Sequence, residues 1–357
     1  MPLLTSLGWD DRFAAAFAPH RAAGLIAGRV SLEHNHLFRV MTEEGEWLSE
    51  TTGRIRHLAT GRSELPVVGD WVALRPPTTG TRAAIVAILP RRSWFSRKAA
   101  GRRTTEQVLS ANIDMVFIVA GLDLELNVRS LERYLVLTRT SGAEPVIVLN
   151  KSDACADLAA VVAGAEAIAA GAPVLAVSTR DGRGFDALND YAKPGATIAL
   201  LGPSGVGKSS IINRLLGREL LAIGEVRSSD HRGRHTSVHR QLVQMDSGAL
   251  LIDTPGLREL QLWEAEDGVG DTFAEIGELA GSCRFRDCRH DQEPGCAVRA
   301  AVAEGRLGQS RYDGYLKLLK ERETFDRKRD ERIEIERKRQ TKVTQRSIQA
   351  KQRNRES

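Results

Sequence analysis

The segment Gly202–Ser209 combines the residue types that bind phosphate groups. It reads Gly-Pro-Ser-Gly-Val-Gly-Lys-Ser, follows the apolar run Thr197–Leu201 and precedes a predicted helix that begins at Ser210. Glycines let backbone N–H groups turn toward phosphate oxygens, and a helix N-terminus adds the positive end of its dipole. This strand, loop and helix context predicts a P-loop. The expected nucleotide-binding residues are Gly202, Pro203, Ser204, Gly205, Val206, Gly207, Lys208, Ser209 and Ser210.

Several side chains in and after this segment suit a nucleotide–Mg²⁺ complex. We expect Lys208 to reach the β- and γ-phosphates and the Ser209 hydroxyl to bind Mg²⁺. Thr236 would complete the magnesium shell from a switch loop. Asp253 would hold Mg²⁺ through water, and the Gly256 N–H would contact the γ-phosphate, although Asp-Thr-Pro-Gly is also an ordinary turn after a strand. The predicted catalytic residues are Lys208, Thr236 and Asp253.

A second polar motif can select the base of the nucleotide. It follows the apolar run Pro145–Leu149 and reads Asn150-Lys151-Ser152-Asp153. The Asp153 carboxylate can accept two hydrogen bonds from the N1–H and amino edge of guanine, whereas adenine would leave that carboxylate unpaired. Alone, such a tetrapeptide is often a helix N-cap; together with a P-loop it predicts GTP rather than ATP. We expect the Ser178 backbone to contact the guanine O6.

Three cysteines and a histidine lie within 14 residues near the C-terminal end of the chain. Thiolates and an imidazole at this spacing suit a closed tetrahedral zinc site with a structural role. The alternative is three buried cysteines beside an unrelated histidine. The expected zinc ligands are Cys283, Cys288, His290 and Cys296, while Cys155 lies outside the cluster and is expected to be a small buried residue.

The elements that must position these residues differ along the chain. From residue 24 to 90, short alternating runs separated by Gly and Pro predict a small antiparallel barrel of the OB type. From residue 112, buried apolar runs alternate with helical stretches, which predicts a parallel sheet covered on both faces. Residues 271–340 are predicted to be helical, with an interruption at the Cys/His cluster. The guanine motif precedes the P-loop, so the motif order is circularly permuted.

Three other segments carry less definite signals. Residues 1–20 are predicted to be a loosely held lead-in. Residues 91–103 hold six basic residues and the pair Trp94-Phe95, which fits either nucleic-acid binding or, as we favour, a linker whose aromatic residues pack into a core. Residues 337–355 hold eight basic residues and no acidic residue, which fits either a polyanionic partner or a solubilising tail.

The length and composition of the chain limit the number of domains and the cellular compartments that fit it. A chain of 357 residues with 42% hydrophobic residues is expected to form two or three domains. We see no signal peptide and no apolar run of the roughly 18 to 20 residues needed to span a bilayer. Four cysteines do not form a disulfide framework in a chain of this size, and a metal cluster indicates a reducing compartment. We therefore expect a cytoplasmic protein with no membrane partner.

The permuted motif order, the P-loop, Arg232–Ser237 and the cysteine cluster resemble the RsgA (YjeQ) family of ribosome-small-subunit-dependent GTPases. The resemblance covers about residues 24–300. It implies an OB-fold barrel, a permuted GTPase domain and a zinc-binding domain, with one structural zinc ion and Mg²⁺ bound with GTP. It also implies binding to the small ribosomal subunit and its rRNA during late maturation, with hydrolysis stimulated by the subunit. We expect a monomer that binds GTP and GDP.

The changes in sequence pattern and the family resemblance together give the expected domain boundaries. We predict a multidomain chain whose central part is an α/β P-loop GTPase. The expected units are residues 1–23 as an N-terminal arm, 24–95 as the OB-fold barrel, 96–270 as the permuted GTPase domain, 271–340 as the α-helical zinc-binding domain, and 341–357 as a basic tail that is disordered until it binds a partner.

The group that orients the attacking water is left open by the sequence. Leu257 stands where Ras-like enzymes place a glutamine, and leucine cannot hydrogen-bond water, so intrinsic hydrolysis should be slow. His231, His235 or a ribosomal group could substitute. Leu257 also favours a second hypothesis, a nucleic-acid-binding module that uses the nucleotide site only as a sensor. A third hypothesis, an ATP-dependent kinase, is disfavoured by Asp153.

Overall fold

The N-terminal half begins with a closed five-stranded barrel. The structure, a computed structural model, describes residues 4–59, 61–77, 81–98, 106–123, 125–217, 240–253, 272–320 and 327. The barrel strands follow the order β1-β2-β3-β5-β4, with β4 pairing back onto β1 and β3 parallel to β5. The strands are β1 (Ile26–His34), β2 (Leu37–Thr42), β3 (Gly45–Thr51), β4 (Trp71–Arg75) and β5 (Ala83–Ile88).

The barrel closes because β4 pairs with β1, and inward side chains fill its interior. Val30, Val40, Leu74 and Ile85 fill an interior cluster in which each is fully buried. A short helix α2 (Gly53–Leu58) and a 3₁₀ turn (Arg62–Glu64) connect β3 to β4. The predicted OB-type barrel is confirmed.

The lead-in from residue 4 onward is packed rather than loosely held, so that prediction is wrong for the described residues. A 3₁₀ turn (Leu4–Leu7) leads into helix α1 (Asp11–Ala22), whose N-cap Asp10 accepts a hydrogen bond from the Phe13 N–H at 3.1 Å. Phe13 lies 5.7 Å from the Trp71 ring, between ring centroids. Because Trp71 is a barrel residue, this contact could not be read from the local sequence.

The basic connector forms a hairpin instead of a plain linker. Strand β6 (Trp94–Lys98) pairs antiparallel with β7 (Glu106–Ala111). The prediction that its aromatic residues pack into a core is confirmed for Phe95, which is 2% exposed, and wrong for Trp94, which is 43% exposed. Alternation along a strand sends the two neighbours to opposite faces.

The central region is a mainly parallel sheet covered on both faces, as predicted. Its strand order is β10-β9-β8-β11-β13-β12, and only β12 runs antiparallel to its neighbour β13. One register pair, Leu32 with Gln241, joins β12 to β1 of the barrel. The strands are β8 (Met115–Gly121), β9 (Glu144–Asn150), β10 (Val174–Ala176), β11 (Thr197–Leu201), β12 (Gln241–Gln244) and β13 (Leu250–Asp253).

Helices cover the two faces of this sheet over separate apolar clusters. Among the described residues the connections carry α3 (Val128–Thr140), α4 (Leu158–Glu166), α5 (Phe185–Asn189), α6 (Lys208–Leu215) and a 3₁₀ turn (Ser152–Ala154). Within the described part of the chain, no helix combines the length and apolarity needed to cross a membrane.

The C-terminal part is helical around the cysteine cluster. It contains α7 (Ala274–Ala280), α8 (Ala297–Ala303) and a helix, α9, over residues 309–320. Arg311 of α9 pairs with Glu132 of α3 at 2.8 Å and with Glu275 of α7 at 2.7 Å. Tyr312 is buried and Tyr315, one helical turn later, packs against the core.

Candidate functional site

Three strands of the parallel sheet end beside one another with the predicted nucleotide-binding residues. β9, β8 and β11 are parallel neighbours, so their carboxyl ends meet at one edge of the sheet. β9 ends at Asn150 and β11 leads into Gly202. β13, the parallel neighbour of β11, ends at Asp253 on the same edge. Ligands of open α/β sheets bind at such an edge.

The glycines of the P-loop are required by backbone geometry. Gly202 and Gly207 have φ values of 143° and 95°. A Cβ atom at Gly202 would lie 2.2 Å from the Val119 carbonyl oxygen, and one at Gly207 would lie 2.2 Å from the Asn150 Nδ2 atom. A side chain at Gly202 would collide with the β8 backbone, and one at Gly207 would displace the Asn150 amide, so the positive φ values and the close contacts both favour glycine.

Lys208 opens α6 directly after this turn. Its Nζ donates hydrogen bonds to the carbonyl of Gly202 at 2.7 Å and to the carbonyl of Pro203. The ammonium group therefore lies within the loop, where it can meet phosphate oxygens. Ser209 follows in the first turn of α6, which brings its hydroxyl to the same end of the helix.

Asn150 joins the two predicted nucleotide motifs. Its Nδ2 donates to the carbonyl of Val206 in the P-loop at 2.8 Å, and its Oδ1 accepts from the Thr179 N–H at 3.3 Å. The Asn150 side chain is fully buried, and both of its hydrogen-bond partners are backbone groups. One side chain thus holds together three loops that are far apart in the sequence.

The remaining residues of the guanine motif are held in a defined arrangement. Lys151 has a left-handed backbone conformation (φ 64°) and its Nζ pairs with Asp123 at 2.6 Å. Ser152 is buried and donates its N–H to the carbonyl of Val177 at 3.1 Å. The Asp153 Oδ1 accepts from the Ser178 hydroxyl at 2.7 Å. The motif is therefore anchored to the strand ends on either side.

The Ser178 hydroxyl is a contact that sequence reasoning did not use. The expected contribution was its backbone, but the Ser178 N–H donates to the carbonyl of Arg183 at 3.0 Å. Arg180 adds a distant ion pair to Asp153 at 3.8 Å. Neither Asp123 nor Arg180 has a local sequence pattern that marks it, since each acts through a residue more than 20 positions away.

Part of the predicted catalytic set lies outside the described residues. Asp253 is described, is half-buried at the end of β13 and faces Gln241 across the β12–β13 pair. Thr236, Gly256, Leu257, His231 and His235 lie outside the described residues, as does the basic tail over residues 341–357.

The four predicted metal ligands come together. Their ligand atoms all lie within 4.8 Å of one another, with the Cys283 Sγ 3.6 Å and the Cys296 Sγ 3.5 Å from the His290 Nδ1. The sulfur atoms of Cys283 and Cys296 are 3.9 Å apart. Tetrahedral zinc with Zn–S bonds of about 2.3 Å implies roughly 3.8 Å between sulfur atoms. The donor set therefore fits a tetrahedral metal ion.

The surroundings of the cluster favour a ligand role for His290. Burial lowers the pKa of His290, which keeps the imidazole neutral and able to donate its lone pair. The Tyr312 hydroxyl donates to the His290 backbone carbonyl, and the Ala297 N–H points at the Cys283 Sγ at 3.3 Å. Cys155, by contrast, lies away from the cluster and is half-buried beside a cavity of about 280 Å³.

Comparison with known proteins agrees with this architecture. Residues 88–263 match the RsgA GTPase family. A small ribosomal subunit biogenesis GTPase RsgA from Opitutus terrae is 48% identical over 327 residues, covering 89% of this chain and 89% of the relative.

Two solved structures share the fold. The crystal structure of YjeQ from Thermotoga maritima superposes with a TM-score of 0.64 and 30% identity, covering 83% of this chain and 98% of that protein. YloQ, described as a circularly permuted GTPase, gives a TM-score of 0.61 and 27% identity over 85% of this chain and 96% of that protein. With the barrel, the permuted nucleotide site and the Cys3His cluster all in place, this chain belongs to the RsgA family of GTPases.

Proposed function

We propose that this protein is a GTP hydrolase that binds the small ribosomal subunit, acts in its late maturation, and is stimulated by that subunit. The observation that carries the proposal is the 2.8 Å hydrogen bond from Asn150 to Val206, which assembles a guanine-reading motif and a P-loop into one site. The relative from Opitutus terrae is named as a small ribosomal subunit biogenesis GTPase.

The roles of the nucleotide-site residues follow from their chemistry. Lys208 would neutralise charge on the β- and γ-phosphates, and Ser209 with Thr236 would hold Mg²⁺. Asp253 would act on the same ion through water, and the Gly256 N–H would contact the γ-phosphate. Bound Mg²⁺ supplies electrostatic stabilisation of the phosphate charge that develops during transfer. We propose that the subunit supplies or orders the group that positions water, through His231, His235 or a ribosomal residue, because Leu257 cannot do so.

We propose that the Cys3His cluster holds one structural zinc ion. Metal analysis of purified protein should give one zinc per chain. Cys288→Ser should lose that zinc and lower the melting temperature, because it removes one of four ligands. Cys155→Ser is the matched control and should keep both values, since Cys155 lies outside the cluster. Full zinc content in Cys288→Ser would contradict the assignment.

We further propose that the protein contacts rRNA and works as a cytoplasmic monomer. The exposed Trp94, the basic residues of segment 91–103 and the basic tail supply stacking and charge suited to a polyanion. A role in ribosome assembly would place the protein where ribosomal subunits mature.

The decisive experiment is the GTPase rate measured against increasing concentrations of small ribosomal subunits. We expect a slow intrinsic rate that rises by at least tenfold with small subunits and stays low with large subunits. Lys208→Ala should show no turnover under either condition and serves as the blank. A rate that does not respond to small subunits would overturn the proposed stimulation.

A second arm tests the basic tail. A chain truncated after Gln340 should keep its intrinsic rate but need more subunit for half-maximal stimulation, with a weaker dependence on salt, because phosphate contacts release counterions. If the protein binds GTP and RNA but hydrolyses no GTP with or without small subunits, the sensor hypothesis replaces the enzyme hypothesis. Leu257 is the residue that supports this alternative, because leucine cannot hydrogen-bond the attacking water.

A further inference from the structure

The turn after β8 lies between the two nucleotide motifs. β8 pairs in parallel with β9 on one side and with β11 on the other, so its carboxyl end stands between the guanine motif and the P-loop. Gly121 ends β8, and the next residue, Leu122, donates its N–H to the carbonyl of Asn150 at 2.9 Å. The turn Gly121–Asp123 is therefore bonded directly to the guanine motif.

The same turn also approaches the P-loop closely. A Cβ atom at Gly121 would lie 3.5 Å from the Val206 Cα atom and 2.8 Å from the Asp123 Oδ1 atom. A side chain at Gly121 would therefore displace the Asp123 carboxylate, while its Cβ would make an ordinary van der Waals contact with the phosphate loop. The Asp123 carboxylate is held at the point where the two halves of the nucleotide site meet.

Asp123 forms a close ion pair with a residue of the guanine motif. Its Oδ2 lies 2.6 Å from the Lys151 Nζ, and the two side chains are 43% and 29% exposed. Lys151 itself has a left-handed backbone (φ 64°, ψ 34°), which few non-glycine residues adopt. The backbone conformation therefore sets the direction in which the Lys151 side chain leaves the chain, and the ion pair with Asp123 sets the position of its ammonium group.

We propose that Asp123 is a positioning residue that holds Lys151 against the face of the bound guanine. This inference rests on the proposed function, since it deepens the role of the same site. Lys151 stands between Asn150, which holds the P-loop, and Asp153, which reads the base edge. Its four-carbon stem can cover the apolar face of the base while the ammonium stays paired with Asp123. A side chain already held in place loses less rotamer entropy when the nucleotide binds.

The competing explanation is an ion pair that has no functional consequence. Partly exposed pairs commonly contribute little to stability, so a stability measurement cannot separate the two explanations. Nucleotide affinity can, because the positioning role acts through Lys151 and predicts that the two residues are coupled. It also predicts no change in base selection, which depends on the edge of the base and on Asp153.

The test is a double-mutant cycle on nucleotide binding in the full chain. Dissociation constants for fluorescent GDP and GTP analogues are measured for wild type, Asp123→Ala, Lys151→Ala and the double variant. We expect Asp123→Ala to raise the dissociation constants of both nucleotides by about threefold to tenfold. The double variant should bind no more weakly than Lys151→Ala alone. Effects of Asp123→Ala that persist in full when Lys151 is already alanine would overturn the proposal.

Further variants separate positioning from a general loss of structure. Asp123→Glu keeps the charge and should recover part of the affinity. For Asp123→Ala the KM for GTP should rise while kcat at saturating GTP stays near the wild-type value, and the preference for GTP over XTP should not change. Glu304→Gln is the matched control, because the Glu304–Arg306 pair has the same 2.6 Å separation but lies in the C-terminal region.

The outcomes distinguish this inference from the proposed function on which it rests. If wild-type protein binds no guanine nucleotide, the proposed function fails first. If wild type binds GTP but Asp123→Ala binds it equally well, only the positioning role is lost. A fall in kcat without a change in KM would also overturn the positioning role, because that pattern would place Asp123 in the chemical step.

Discussion

At the scale of single residues, the proposed selection of the base depends on one oriented carboxylate. The Asp153 side chain is 19% exposed, and its Oδ1 accepts a hydrogen bond from the Ser178 hydroxyl at 2.7 Å. A carboxylate held in this way can present its other lone pairs to two N–H donors of guanine. Orientation before binding reduces the cost of ordering the site.

Asp153→Asn tests this residue directly. Hydrogen bonds to a charged group contribute about 1.5–3 kcal/mol, so GTP affinity should fall by about tenfold to a hundredfold. Affinity for XTP should rise, because an amide can donate to the oxygen that xanthine carries at C2. Competition binding with GTP, XTP and ATP measures both changes. The exposed Asp186 provides the control Asp186→Asn, which should leave all three affinities unchanged; an unaltered GTP preference in Asp153→Asn would remove the base-reading role.

At the scale of elements, the sheet edge and the C-terminal helices are linked through α3. Glu132 of α3 is 1% exposed and pairs with Arg311 of α9, whose guanidinium also reaches Glu275 of α7 and the Thr272 carbonyl. Burial raises the pKa of Glu132, and the bonds from Arg311 oppose that effect. Helix α3 connects β8, which leads into the turn that holds Asp123, to β9, which ends at Asn150. The helices beside the cysteine cluster are therefore attached to an element that flanks the candidate nucleotide site.

Arg311→Ala should destabilise this attachment strongly. The change leaves the Glu132 carboxylate buried without its main cation, which costs about 3–5 kcal/mol in such pairs. Thermal or denaturant unfolding followed by fluorescence would detect a lower midpoint. Arg306→Ala removes a pair of similar length at the surface, with both partners more than half exposed, and should cost less than about 1 kcal/mol. Equal effects of the two variants would contradict the proposed importance of burial.

At the scale of the whole molecule, one buried arginine joins the barrel, the N-terminal arm and the central domain. The Arg29 side chain is 1% exposed and donates to the carbonyls of Leu7, Gly69 and Asn112. Burial lowers its pKa to about 10, so the guanidinium remains charged at neutral pH. Asn112 strengthens the junction, because its Nδ2 also donates to the Gly69 carbonyl at 3.1 Å. These contacts connect segments up to 105 positions apart in the sequence.

Arg29→Met should therefore loosen the whole molecule. The change keeps much of the side-chain volume but removes hydrogen bonds to three buried carbonyls, and an unsatisfied buried group costs about 1–3 kcal/mol. We expect a lower melting temperature together with faster proteolysis near the N-terminal arm. Arg39→Met, at an exposed pair with Glu46, should change neither value appreciably. Stability equal to wild type in Arg29→Met would show that the barrel and the central domain are held by other contacts.

The sequence alone determined the features that depend on short spacing. The P-loop, the guanine motif and the Cys3His cluster each lie within 14 residues, so their chemistry could be read from residue type and order. Alternating and continuous apolar runs likewise predicted the barrel and the parallel sheet, because burial on one or two faces dictates those patterns.

Only the tertiary structure decided the contacts between distant segments. Asn150 meets Val206 across 56 positions, and Asp123 meets Lys151 across 28. The packing of Phe13 against Trp71 and the β6–β7 hairpin were also missed, because a short or basic segment gives no local sign of the partner that covers it. The physical reason is the same in each case. The stabilising contact is made with a partner that only folding brings close, and the local sequence does not indicate which distant residue that partner will be.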